Sequence, residues 1–167
     1  MHAAFEASNS GTAETNDWRF KTTLQHTNLT KHGDILTAEW LTSPDPSDVS
    51  AYSLSYFLPI GREWSFNIFG GMSESEIDEV LPELSVRGRG HFLGGQVTKT
   101  LVDDMDKRIL LSLGWMYQYL EQDDDIQDQD LPQREVSVSM PMLTLGYASR
   151  RFDSLHGRNY FSNTLMY

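Results

Sequence analysis

Ile109–Leu110–Leu111–Ser112–Leu113–Gly114–Trp115–Met116–Tyr117–Gln118–Tyr119 is the stretch on which the reading of this chain turns. Its odd positions are all apolar or aromatic. Its even positions mix Leu110 and Met116 with Ser112, Gly114 and Gln118. A period of two marks a strand with unlike faces, because successive side chains leave a pleated backbone on opposite sides. The competing assignment is an amphipathic helix over Met105 to Leu120, since Leu110, Leu113 and Tyr117 also fall at helical spacing. Gly114 in the middle and the unbroken odd-position face decide for a strand.

The same alternation recurs along the chain. Tyr52, Leu54, Tyr56 and Leu58 alternate with Ser53, Ser55 and Phe57, and Trp64, Phe66 and Ile68 alternate with Ser65 and Asn67. Leu36, Ala38 and Trp40 oppose Thr37 and Glu39; Trp18, Phe20 and Leu24 oppose Arg19, Lys21, Thr23 and Gln25. Each segment is roughly ten residues long, which is what a tilted strand needs to cross a bilayer. Two segments are less regular. Between Val86 and Leu101, Gly88, Gly90, Gly94 and Gly95 blur the pattern, and Arg87, Arg89 and His91 share a face. After Val136 the apolar parity switches from Val138 and Met140 to Leu143, Leu145 and Tyr147, with Pro141 at the switch. A proline inside a strand marks an edge or a bulge, so a bulge is expected there.

Composition excludes several alternatives. The chain has 167 residues, the size of one domain or part of one. With 13 Lys+Arg against 24 Asp+Glu and a net charge of -11, it lacks the basic face that nucleic acid requires. It contains no cysteine, which removes disulfides and thiolate metal sites. No stretch reaches the roughly 18 apolar residues of a transmembrane helix. A strand-built membrane wall accommodates this composition, because its inner face is polar.

The connections add an end-to-end asymmetry. Ser75 to Leu84 and Gln122 to Arg134 read as long acidic links, expected to be external loops at one end of the sheet. Lys31, Arg62, Lys107, Arg108, Arg150, Arg151 and Arg158 sit at or beside the other set of turns. Long loops at one end and short turns at the other are the organisation of outer-membrane barrels. The expected fold is all-β: an antiparallel meander of about 8–9 strands forming part of a transmembrane β-barrel.

Several short motifs resemble the outer-membrane transporters of two-partner secretion, the hemolysin-activator and filamentous-haemagglutinin transporter group, within an Omp85-like superfamily. Asn9, Ser10, Gly11 and Thr12 followed by Arg19 are similar to the end of that family's first strand and the entry to its second. Gly33 and Asp34 resemble its Gly-Asp turn. Tyr56, Pro59, Ile60 and Gly61 resemble its Tyr-x-x-Pro-(aliphatic)-Gly turn, and Gly71, Met72 and Ser73 its strand ending in Ser. Val86, Arg87 and Gly88 resemble the family's Val-Arg-Gly-(aromatic) loop, but Arg89 replaces the aromatic residue and the position is too early in the barrel. That role is not carried over.

The resemblance implies an outer-membrane location in a Gram-negative bacterium and a secreted exoprotein as passenger, without ATP or cofactor. Family members place soluble recruiting domains before a barrel of about sixteen strands. The expectation is therefore that residues 1–167 are a partial barrel domain, the N-terminal half of a larger one, with no recruiting domain. Other readings are a small barrel acting as a structural protein or adhesin, and an assembly or surface-antigen type of barrel. A membrane-bound lipase or protease would need a catalytic constellation, and none is visible. His2, His26, His32, His91 and His156 are scattered, and Ser53, Ser55, Ser137 and Ser139 lack an adjacent base. Asp123 to Asp130 lack the glycine turn and closing Glu of a calcium loop. The chain is expected not to be an enzyme and to use no metal. If the aromatic faces look to lipid, Arg19, Lys21, Glu39, Arg87 and Arg89 are the candidates to face the lumen.

Overall fold

A computed structural model describes residues 1–12, 16–81, 84–126, 129–130, 134–150 and 160–166. The alternating segments become strands β1 (His2–Ser8), β2 (Arg19–Thr27), β3 (Ile35–Thr42), β4 (Val49–Ile60) and β5 (Trp64–Leu81). They continue as β6 (Leu84–Asp103), β7 (Lys107–Ile126), β8 (Gln129–Asp130), β9 (Arg134–Ser149) and β10 (Tyr160–Met166). All pairings are antiparallel and follow chain order; two-residue β8 pairs only with β7, beside the main path. The segment that could have been a helix is inside β7. Among the described residues, strand β1 pairs with β2 alone and β10 with β9 alone, so the sheet is open rather than closed.

This meander sorts the connections into two sets. The ends of β2, β4, β6 and β9 lie at one end of the sheet with the starts of β3, β5, β7 and β10; the ends of β1, β3, β5 and β7 lie at the other. The two expected acidic links therefore do share an end, but much of each is strand. Strand β5 runs to Leu81 and β6 starts at Leu84, while β7 runs to Ile126. Pairing is the physical reason. Glu74 and Glu76 stand opposite Arg89 and Arg87, so residues that look solvated in isolation meet their counter-charges across the ladder. Residues 127–128 and 131–133 of the second link, and Arg151 and Arg158, lie outside the described residues.

The expected bulge at Pro141 is absent. Strand β9 stays in register with β7 from Arg134 opposite Gln122 to Ser149 opposite Lys107. Pro141 stands opposite Trp115 within that unbroken register. The parity switch is therefore real: Val136, Val138, Met140 and Met142 share one face, and Leu143, Leu145 and Tyr147 the other. Register shifts occur instead between Ile77 and Leu81, and between Thr100 and Val102.

Partners in register share a face, so the pairing assigns every strand residue to one of two surfaces. One carries Phe5, Phe20, Leu24, Leu36, Trp40, Tyr52, Leu54, Ile68, Leu93, Val97, Leu113, Trp115 and Leu143. Its large side chains are exposed, with Leu113 at 65%, Leu54 at 54% and Leu93 at 51%. Among the described residues, Met142 is the one apolar side chain that is buried. The sheet thus has an apolar surface without a core to bury it.

The opposite surface carries Lys21, Thr23, Gln25, Thr37, Glu39, Ser53, Ser55, Ser65, Asn67, Gln96, Thr98, Ser112 and Thr144. Hydroxyls meet across it, as in Thr98 Oγ1 to Ser112 Oγ at 2.8 Å and Thr144 Oγ1 to Thr164 Oγ1 at 2.9 Å. Glycines let strands and aromatic rings approach on this side. A Cβ on Gly71 would stand 2.6 Å from the Tyr52 carbonyl oxygen and 2.8 Å from the Phe92 ring, and one on Gly94 would stand 2.6 Å from Phe69.

Candidate functional site: two faces and two ends

The alternation that places Trp40 on the apolar face turns its neighbour Glu39 to the polar face. There Lys21 Nζ lies 2.9 Å from Glu39 Oε1, and Thr23 Oγ1 donates to the same oxygen at 3.4 Å. Next along the strands, Gln25 Nε2 donates to Thr37 Oγ1 at 3.5 Å. The half-exposed ion pair is a modest contributor to stability, since water competes for both groups. Glu6 stands in register with Lys21 on its other side, so the ammonium lies between two carboxylates on this polar face. Arg19 belongs to the polar face but not to this pair. Its guanidinium Nη1 donates to the carbonyl oxygens of Asn16 at 2.7 Å and Trp18 at 2.9 Å, holding the end of the 9–18 connection.

Arg87 and Arg89 require a correction. They are paired in register with Glu76 and Glu74 on one side and with Asp123 and Glu121 on the other. That register puts them on the face of Leu93, Val97 and Trp115, opposite the face of Lys21 and Glu39. The cause is parity: odd residues of β6 from Arg87 to Lys99 all share the apolar side, and no bulge intervenes. Arg87 Nη2 donates to Glu76 Oε2 at 2.6 Å, and Arg89 Nε donates to Glu74 Oε1 at 3.0 Å. The glutamates were missed as partners. Their signal was the matched spacing of two residues in both Glu74/Glu76 and Arg87/Arg89.

Aromatic rings pair both within the apolar face and at its margins. His91 stacks with Tyr119 at 4.8 Å between centroids, Trp115 with Tyr117 at 6.3 Å, and Trp40 with Tyr52 at 6.1 Å. At the other margin Lys99 Nζ lies 5.1 Å above the Trp64 ring. Ala38 and Gly70 leave a trough of about 690 Å³ between Trp40, Leu54, Met72 and Leu93.

Two turn motifs far apart in sequence form one cluster. Asp34 is fully buried, and its carboxylate accepts from the Thr30 amide at 3.0 Å and the Thr30 hydroxyl at 2.9 Å. The Tyr56 hydroxyl reaches the same carboxylate. Asn28 and Gly33 take positive φ, and the Gly33 amide donates to Asn28 Oδ1 at 2.8 Å. Burial alone would raise the Asp34 pKa; the hydrogen bonds from Thr30 and Tyr56 outweigh it and hold the carboxyl below its ordinary value. The sign follows. A depressed carboxylate stabilises the turn fully above about pH 4, and that contribution is lost as pH falls through the lowered value. Hydrogen exchange of the 28–34 segment, corrected for intrinsic rates, should therefore accelerate in acid and not between pH 6 and pH 8. Asp34→Asn should expose the segment at every pH. Equal protection at both ends of the range would refute the coupling.

Neither a protein-family model nor a curated protein matches the chain. Among solved structures, CdiB from Escherichia coli superposes with a TM-score of 0.81 at 16% identity. The likeness covers 98% of this chain and 30% of that one, and at this identity it concerns the fold. The sheet thus has the form of an open segment of that barrel's wall, and the chain spans under a third of the length of the structure it resembles.

Proposed function

We propose that this chain forms part of the wall of an outer-membrane β-barrel transporter of the two-partner secretion kind, which passes an unfolded exoprotein outward. The observation that carries the membrane part is the exposed apolar face of a sheet with almost no buried core. A soluble monomer does not leave such a surface to water. The likeness to CdiB, a two-partner secretion transporter, supports the narrower reading. So do the turn residues Gly33, Asp34, Tyr56, Pro59 and Gly61, which lie together at one end.

In this proposal the polar face lines the path. Lys21 neutralises Glu39, and the hydroxyls of Ser53, Ser55, Thr98 and Ser112 offer hydrogen bonds no stronger than those of water. A passing chain exchanges these contacts without being held. Direction comes from folding of the passenger outside, and no catalytic step, metal or cofactor takes part. Lipid covers the apolar face, and nucleic acid has no role.

Deleting the gene should remove one large polypeptide from the culture medium, and a plasmid copy should restore it. An unchanged medium combined with depletion of several outer-membrane proteins would instead favour the assembly type of barrel. An unchanged medium with weakened adhesion would favour the adhesin.

A further inference from the structure

The apolar face of β5, β6 and β7 is bounded at both ends by charge. On β6 the face reads Lys99, Val97, Gly95, Leu93, His91, then Arg89 and Arg87. On β5 it reads Trp64, Phe66, Ile68, Gly70, Met72, then Glu74 and Glu76. On β7 it reads Leu111, Leu113, Trp115, Tyr117, Tyr119, then Glu121 and Asp123. Register aligns these margins, since Glu74 pairs with Arg89 and Arg89 with Glu121. The strands do not stop there. Strand β5 continues to Leu81, β6 begins at Leu84 and β7 ends at Ile126.

From Lys99 to Arg89 the strand advances about 34 Å at roughly 3.4 Å per residue. A tilt near 40° projects that to about 26 Å, against the roughly 25 Å height of the apolar band of membrane barrels. The margins carry the side chains that such boundaries favour. Lys99 reaches over Trp64 at one, and the His91–Tyr119 stack precedes the charges at the other.

We infer that a lipid bilayer covers this face from Trp64 and Lys99 to Met72, His91 and Tyr119, and that its outer surface crosses β5–β7 at Glu74, Arg89 and Glu121. Beyond that level the same strands stand clear of the membrane as a paired wall. From Arg89 to Leu84 and from Glu121 to Ile126 the strands run five residues further; at about 3.4 Å each and tilted by 40°, they raise it roughly 13 Å above the lipid. The ion pairs Arg87–Glu76 and Arg89–Glu74 hold its outward face in water and headgroups rather than in hydrocarbon. The inference rests on the membrane reading above and adds the depth at which each residue sits.

The absence of cysteine makes the test direct. Single variants Leu93→Cys, Val97→Cys and Leu113→Cys report the covered band; Glu74→Cys and Glu121→Cys report the margin. In isolated outer membranes, a membrane-impermeant maleimide should label the last two and leave the first three unlabelled until detergent and denaturant are added. Labelling of all five alike would overturn the inference together with the membrane reading. Protection of all five until solubilisation would overturn the depth alone, leaving the membrane reading in place. Protection of the three in a soluble dimer that cross-links through them would assign the face to a second copy and also overturn it.

Discussion

Leu93→Arg is expected to destabilise the inserted barrel by about 2–4 kcal/mol, the cost of a cationic side chain at the midplane of a lipid-facing wall. Leu93 lies close to halfway between Lys99 and Arg89 on the apolar face, and half of its surface is exposed. Neither margin is near enough for the guanidinium to reach water without bending lipid around it. Gln118→Arg supplies the control, because Gln118 pairs with Phe92, the neighbour of Leu93, on the polar face at nearly the same height. Its change should stay within about 0.5 kcal/mol. Denaturant titration of the proposed barrel, folded into vesicles, gives both values. The two positions differ in face rather than in depth, so the contrast isolates what the apolar surface touches. Equal effects at both positions would mean that neither face meets lipid.

Leu93 also marks where sequence reasoning reached its limit. In β7 the odd positions form an unbroken apolar row, so both strand and face could be read directly. In β6 the even positions include Phe92 as well as Gly94 and Gln96, while the odd positions include Gly95 beside Leu93 and Val97. Neither row is cleanly apolar, and the parity of Arg87 and Arg89 was open until Met72, Gly70 and Ile68 fixed it through pairing. The face of Lys21 and Glu39 was legible because Phe20, Leu24, Leu36 and Trp40 all fall at even positions of the same strands. The acidic stretch after Ser75 misled for a different reason. Charge density within one segment is a local quantity, whereas the arginines that neutralise it arrive from the next strand. Pro141 misled in the same way. A proline does not by itself shift a ladder, and Pro141 pairs with Trp115 in a register that holds along the whole of β9.

The 167-residue chain by itself is expected to give no stable conductance steps in a planar bilayer. The path from β1 through β7 to β9 and β10 contains nine strands, and its ends do not meet. Among the described residues, strands β1 and β10 each pair along one side only, at His2–Ser8 and Tyr160–Met166. In hydrocarbon each unpaired backbone group costs several kcal/mol, so an open sheet of this kind is driven out of the membrane or into further pairing. Closure on itself meets a geometric obstacle. Successive antiparallel strands reverse direction, so the first and the ninth run the same way, and a seam between them would be parallel. Bacterial single-chain barrels use even numbers of strands and avoid that seam. On the proposed membrane reading, both edges call for further pairing, from another segment of wall or from a second copy. Purified chain should associate with vesicles through its apolar face yet leave trapped ions inside. Reproducible unit conductance, or an efficient cross-link between Phe5→Cys and Leu165→Cys within one chain, would establish a closed nine-stranded barrel and remove the need for any additional wall.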